Sequence, residues 1–145
     1  MTDTVLTQQS HPNNLPRSIG AFVAGAVVGI ALTLGTDVGL HAIGVFPALG
    51  QPMASGLLLI ATFYRTVYGV VSSYILARLA PNRPMGHALV GGLIGLVVNI
   101  VGTVVTWNRG LGPHWYPLAL IALAMPAAWV GGKLRTTQLR GQPAD

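Results

Sequence analysis

The sequence predicts an all-α integral membrane protein: a four-helix bundle, antiparallel, up-down-up-down, with both termini cytoplasmic. Three observations predict it. The chain of 145 residues is 52% hydrophobic and only 8% charged, whereas a soluble globular chain carries about a quarter charged residues. Its apolar residues gather into four stretches divided by short runs of Gly and Pro, giving a mean hydropathy of +0.61. Its basic residues collect at alternate ends of those stretches.

The elements follow in chain order. Residues 1–16 are polar, with Asp3, Gln8, Gln9, Asn13 and Asn14, and are expected to form a disordered cytoplasmic tail. No apolar core follows a basic start within them, so they do not read as a cleavable signal peptide. A helix crosses the hydrocarbon with about 20 apolar residues, and spans of that kind are expected at 19–45, 55–77, 87–107 and 115–132. The breakers between them are Pro47, Gly50 and Pro52, then Pro81 and Pro84, then Gly110, Gly112 and Pro113. Short joints make the helices neighbours. A single domain is expected over residues 17–135, followed by a cytoplasmic tail at 136–145.

Orientation follows from the basic residues. Arg17 precedes the first span, Arg78 and Arg83 flank the second joint, and Lys133, Arg135 and Arg140 follow the fourth span. The first joint has no charge and the third has only Arg109. Trp107, Trp115 and Tyr116 then form an outer aromatic belt, where amphipathic rings sit at headgroup level. The expected location is a bacterial inner (plasma) membrane. The net charge of +5 belongs to this topology. No basic run with interleaved aromatics is present, so nucleic acid is not an expected partner. The chain has no Cys, which excludes disulfide exchange, thiolate nucleophiles and Cys-ligated metal centres.

Helices in lipid associate through close backbone approach and interhelical hydrogen bonds. Gly25 and Gly29, Gly35 and Gly39, and Gly91 and Gly95 each stand four residues apart, with Gly92 and Gly102 nearby. This GxxxG-type spacing predicts close packing of the first span on the third. The chain has 19 glycines, enough for such spacings to arise by chance. Pro126 should kink the fourth span or free a carbonyl in it. The two halves of the chain do not repeat their charged residues, so an internal inverted-repeat transporter is not expected.

Only two charged side chains lie inside apolar sequence: Asp37 and Arg65. Ionised groups in hydrocarbon cost several kcal/mol and are normally paired, turned inward and functional. At about 1.5 Å of rise per residue, Asp37 falls near the outer edge and Arg65 about 15 Å down. Arg65 can close the gap by reaching outward along its stem. His41 lies one turn beyond Asp37 on the same face. Tyr68 follows Arg65 by three residues, and Asn99 and Thr103 lie one turn apart in the third span. Asp37, His41, Arg65, Tyr68, Asn99 and Thr103 are therefore expected to form one outward-facing ligand site or ion path. There Arg65 would attract an anion, Asp37 would act as counter-ion or proton carrier, and His41 supplies the side-chain type that changes charge near neutral pH. The structural alternative is a buried Asp–Arg pair that fixes helix register, its other hydrogen-bond sites filled by Tyr and Asn.

Other chemistry finds less support. Asp37, His41 and His114 could together ligate a hard or borderline metal, but Asp-x-x-x-His on one helix is common, and no metal site is assigned. A haem would need two His on facing helices. Only His41 with His114 approaches this, and His114 sits in a joint beside Pro113, so no cofactor is expected. His87 reads as an interfacial helix-end residue. Tyr64, Tyr68 and Tyr74 form a ring stripe that could meet a lipid, quinone or pigment, or pack on neighbouring helices. Ser55, Ser72 and Ser73 stand in no Gly-x-Ser-x-Gly elbow, and no P-loop or dinucleotide fingerprint is present.

The stretch Val98-Asn99-Ile100-Val101-Gly102-Thr103 is similar, over those six residues, to the Asn-containing helix of small fluoride channels. The basic residue and pore phenylalanines expected around that helix are not matched. Small multidrug exporters are similar in size, but they carry an acid, normally Glu, in the first span, where this chain has Asp37 near the outer end. No residue role is transferred from either family. Three functions remain in view. The leading one is a small membrane protein that binds or passes a small anionic or protonatable solute, as a homo-oligomer. The second is an accessory subunit of a larger membrane complex, contacting lipid, quinone or pigment. The third is a membrane-embedded enzyme at the outer interface with His41 as acid or base. Enzyme activity is the less expected class.

Overall fold

The computed structural model describes residues 14–141 and contains four α-helices: α1 (Leu15–Ala42), α2 (Ser55–Leu79), α3 (Pro84–Thr106) and α4 (Trp115–Arg140). Among the described residues there is no strand. Each helix is long and apolar enough to cross a membrane. The shortest, α3, has 23 residues, or about 35 Å of rise against a hydrocarbon core of about 30 Å.

The helix ends follow local chemistry more closely than the apolar stretches do. α1 begins before the expected span because Pro16 sits in its first turn, where a missing N–H costs nothing. The Ser18 amide already donates to the Asn14 carbonyl at 2.9 Å. Residues 1–13 of the expected tail lie outside the described residues, and Leu15 and Pro16 belong to the helix. At the other end Gly44 takes a left-handed φ of 74°. The Val45 and Phe46 amides turn back to the Leu40 carbonyl, closing the helix three residues short of the expected Val45. α4 continues to Arg140, so residues 136–140 of the expected tail are helical and 142–145 lie outside the described residues. Thr136 and Thr137 spend their hydroxyls on the Lys133 carbonyl, which lets them stay in the helix. α4 also remains one helix through Pro126, where the ring removes the donor for the Ala122 carbonyl.

α4 packs mainly on α2 and α3, and α1 rests mainly on α2. α1 and α3 barely touch, which corrects the close contact expected from their glycines. The glycines that do work as contacts face other helices. A Cβ at Gly25 would meet Leu76 Cβ at 3.0 Å and the Ser72 carbonyl at 3.1 Å, and Ser72 Oγ donates to the Gly25 carbonyl at 2.6 Å. At Gly131 it would meet the Val70 carbonyl at 2.5 Å and Ser73 Cβ at 2.8 Å, and at Gly132 Ala88 Cβ at 2.8 Å. Gly92 has no room beside Ala128. Gly35, Gly39, Gly95 and Gly102 meet nothing within 4 Å.

The buried residues are mostly small, including Ala21, Ala61, Ala77, Ala88 and Ala128, with Phe46, Leu58, Tyr64 and Leu76 as the larger ones. Large apolar side chains point outward instead, among them Val23, Val27, Phe63, Val101 and Val104. That inversion suits lipid, where backbone approach rather than apolar burial holds helices together.

Candidate anion site at the Asp37–Arg65 pair

Asp37 stands five residues before the end of α1, and Arg65 ten residues into α2. The difference is about 7 Å of helix rise, which the long arginine side chain spans. Arg65 Nη2 donates to Asp37 Oδ2 at 2.5 Å, and the Tyr64 hydroxyl donates to Asp37 Oδ1. Both carboxylate oxygens are thus held by α2. The pair forms, but it is not the buried pair expected from sequence: the Arg65 side chain is 32% exposed and that of Asp37 20%. The reason is a cavity beside it.

That cavity has a volume of about 530 Å³. Asp37, His41, Arg65, Asn99 and Thr103 all line it, five of the six expected site residues. Its other walls include Phe46 and Trp107 from the two connections at the same end and Tyr116 from the start of α4. The Met53 amide donates to the Leu111 carbonyl at 3.0 Å and ties these connections together. The sixth residue, Tyr68, faces a second cavity of about 440 Å³. Its hydroxyl is 2.9 Å from Thr36 Oγ1. Arg65, Val98, Asn99 and Leu120 line both cavities, so Arg65 and Asn99 stand at their junction.

Arg65 is incompletely satisfied. Its Nε is buried with no hydrogen-bond partner, and its guanidinium carbon lies 6.0 Å from the centroid of the Tyr116 ring. The ring face contributes a weak attraction at that range but does not replace a hydrogen bond. His41 is turned to its own helix, with Nδ1 2.7 Å from the Asp37 backbone carbonyl and its ring edge-on to Phe46 at 5.5 Å. Thr103 Oγ1 donates to the Asn99 carbonyl at 2.7 Å and is spent there. His41 and Thr103 therefore shape the wall more than they offer donors to a ligand. No family model, curated protein or solved structure matches the chain. Its chemistry is read from geometry alone.

The residues considered for a metal do not assemble. His114 Nε2 lies 3.1 Å from the Trp107 carbonyl, and the two rings stack at 4.2 Å. Among the described residues, no three His, Asp or Glu side chains gather where they could hold an ion. Two residues outside the expected set turn out to be central. Tyr64 holds Asp37, and Tyr116 lies against Arg65. Tyr64 directly precedes the charged residue on its helix, and Tyr116 opens the helix that follows the Gly-Pro joint. Those were the only signals available, and neither specifies a partner.

Proposed function

We propose that this chain is an integral protein of a bacterial inner membrane that binds a small anionic solute at Arg65, in a cavity open to the outer side. In this reading the helices alternate in direction, both termini are cytoplasmic, and residues 17–135 act as one domain. Six of the eight basic residues, namely Arg17, Arg78, Arg83, Lys133, Arg135 and Arg140, then fall on the cytoplasmic side.

The observation that carries the reading is the junction position of Arg65. Arg65 lines both cavities while one carboxylate engages its guanidinium and its buried Nε lacks a partner. Nε is closed off from the cavity, so a carboxylate or similar oxyanion would pair with the Nη groups, whose parallel N–H donors suit such a ligand. Asp37 is the internal competitor: it neutralises Arg65 when the site is empty and lowers the cost of a lone charge in the membrane. Four helices of this length enclose little more than these two cavities. Passage of a solute, as distinct from binding, would therefore run through a homo-oligomer.

Equilibrium binding tests the reading. Trp107 lines the outer cavity, so its fluorescence, isolated in a Trp115→Phe/Trp129→Phe background, reports occupancy when acetate, phosphate or chloride is added to the purified protein. A saturable response to at least one anion is expected in the native chain and is lost in Arg65→Gln at unchanged helical content. An identical response in Arg65→Gln would remove the proposal, as would no response to any anion.

A further inference from the structure

The second cavity narrows the class of ligand. It lies where α1 and α3 diverge beyond their one contact, at Ser18, Phe22 and His87, with α2 and α4 behind it. Gly29 and Thr33 line it from α1, Gly91 and Gly95 from α3. Gly95 leaves open space on the α3 edge, whereas Gly29 and Gly91 lie against Ser72 and Leu76 of α2. Three of its five hydroxyls are spent within the protein: Thr66 on the Thr62 carbonyl, Ser72 on the Gly25 carbonyl, and Tyr68 with Thr36. The one cation on its wall, Arg65, stands at the end it shares with the outer cavity. From Arg65 to Ser72 the cavity follows α2 for seven residues, about 10 Å. Its volume, about 440 Å³, falls within the range of small-molecule sites.

An occupant matched to these walls is polar at one end and apolar along the rest. We infer that the ligand is a single-chain amphipathic acid: its carboxylate pairs with Arg65 and its alkyl chain lies in the gap between α1 and α3. This rests on the anion site proposed above and names its substrate class. The gap gives the chain a sideways route from the bilayer, so the head group need not cross the loops.

Gly95 supplies a direct test. A Cβ there meets nothing within 4 Å, so Gly95→Leu fills the cavity without displacing its wall. Thr33→Phe fills it from the opposite edge, and either variant decides the matter if the other fails to fold. The probes are acetate, decanoate and decanol, added to the full chain in a nonionic detergent, with Trp107 fluorescence in the same Trp115→Phe/Trp129→Phe background as the readout. Comparing each variant with the native chain cancels partition of decanoate into micelles.

Decanoate is expected to bind the native chain at least tenfold tighter than either filled variant. Acetate should bind all three within about twofold, since each buried methylene carries roughly a fourfold gain. Decanol, with the chain but no charge, should bind at least tenfold more weakly than decanoate. If folded Gly95→Leu and Thr33→Phe bind decanoate as the native chain does, the inference is wrong. In that event acetate binding that disappears in Arg65→Gln leaves the anion site standing. A native chain that binds neither carboxylate removes both.

Discussion

Arg65 has two partners, a carboxylate on α1 and a tyrosine ring on α4, and borders two cavities. Removing Asp37 alone leaves a guanidinium with no counter-charge in an apolar setting. Asp37→Asn should therefore destabilise the protein by about 3 kcal/mol, the low end for breaking an ion pair because this one is partly open. Arg65→Gln should cost a similar amount. The Asp37→Asn/Arg65→Gln double variant should regain most of the loss, since two amides can hydrogen-bond without charge. Thermal unfolding of the four proteins in one detergent measures this, and additive losses would show that the pair is not coupled. Tyr64→Phe removes one donor from the carboxylate and should cost about 2 kcal/mol, read in the same assay. The pair itself was legible from the chain because a charge in apolar sequence is conspicuous and needs a partner. The roles of Tyr64 and Tyr116 were not, because a tyrosine at a helix end or beside an arginine has many possible neighbours. Burial was also overestimated: sequence gives the depth of a residue along a helix but not the cavity beside it.

At the scale of elements, the four helices were legible and their contacts were not. Length and apolar content place a span, whereas glycine spacing marks a smooth face without saying which neighbour meets it. Gly25 and Gly29 serve α2, Gly131 and Gly132 serve α2 and α3, and Gly35 and Gly39 serve no contact among the described residues. This divides the glycines experimentally. Gly131→Leu drives a side chain into the backbone of α2 and should cost about 3 kcal/mol, while Gly35→Ala should be neutral or stabilise by up to about 1 kcal/mol. Denaturant unfolding in mixed micelles separates the two, and equal effects would contradict the assigned packing. The end of α1 was misplaced for a similarly local reason. The apolar run continues through Val45 and Phe46, but Gly44 ends the helix and folds them back over it.

For the whole molecule, the proposed topology puts the two joints around the cavity on one side of the membrane and the joint between α2 and α3 on the other. The absence of Cys makes this simple to check with single introduced thiols. Gln51→Cys should react with an impermeant maleimide on intact cells, while Asn82→Cys and Gln138→Cys should react only after permeabilisation. Labelling in the reverse order would invert the account, placing the cavity on the cytoplasmic side. The lipid-like exterior of Val, Leu and Ile was legible from composition, but the α1–α3 gap was not, because it depends on two helices diverging. The most direct test of the central claim is to determine an experimental structure with bromoacetate present and to locate the bromine by its anomalous scattering. The account predicts a peak in the cavity beside Arg65, with the carboxylate within hydrogen-bond distance of its guanidinium. A fully occupied bromoacetate elsewhere, with Arg65 still held by Asp37 alone, would contradict it.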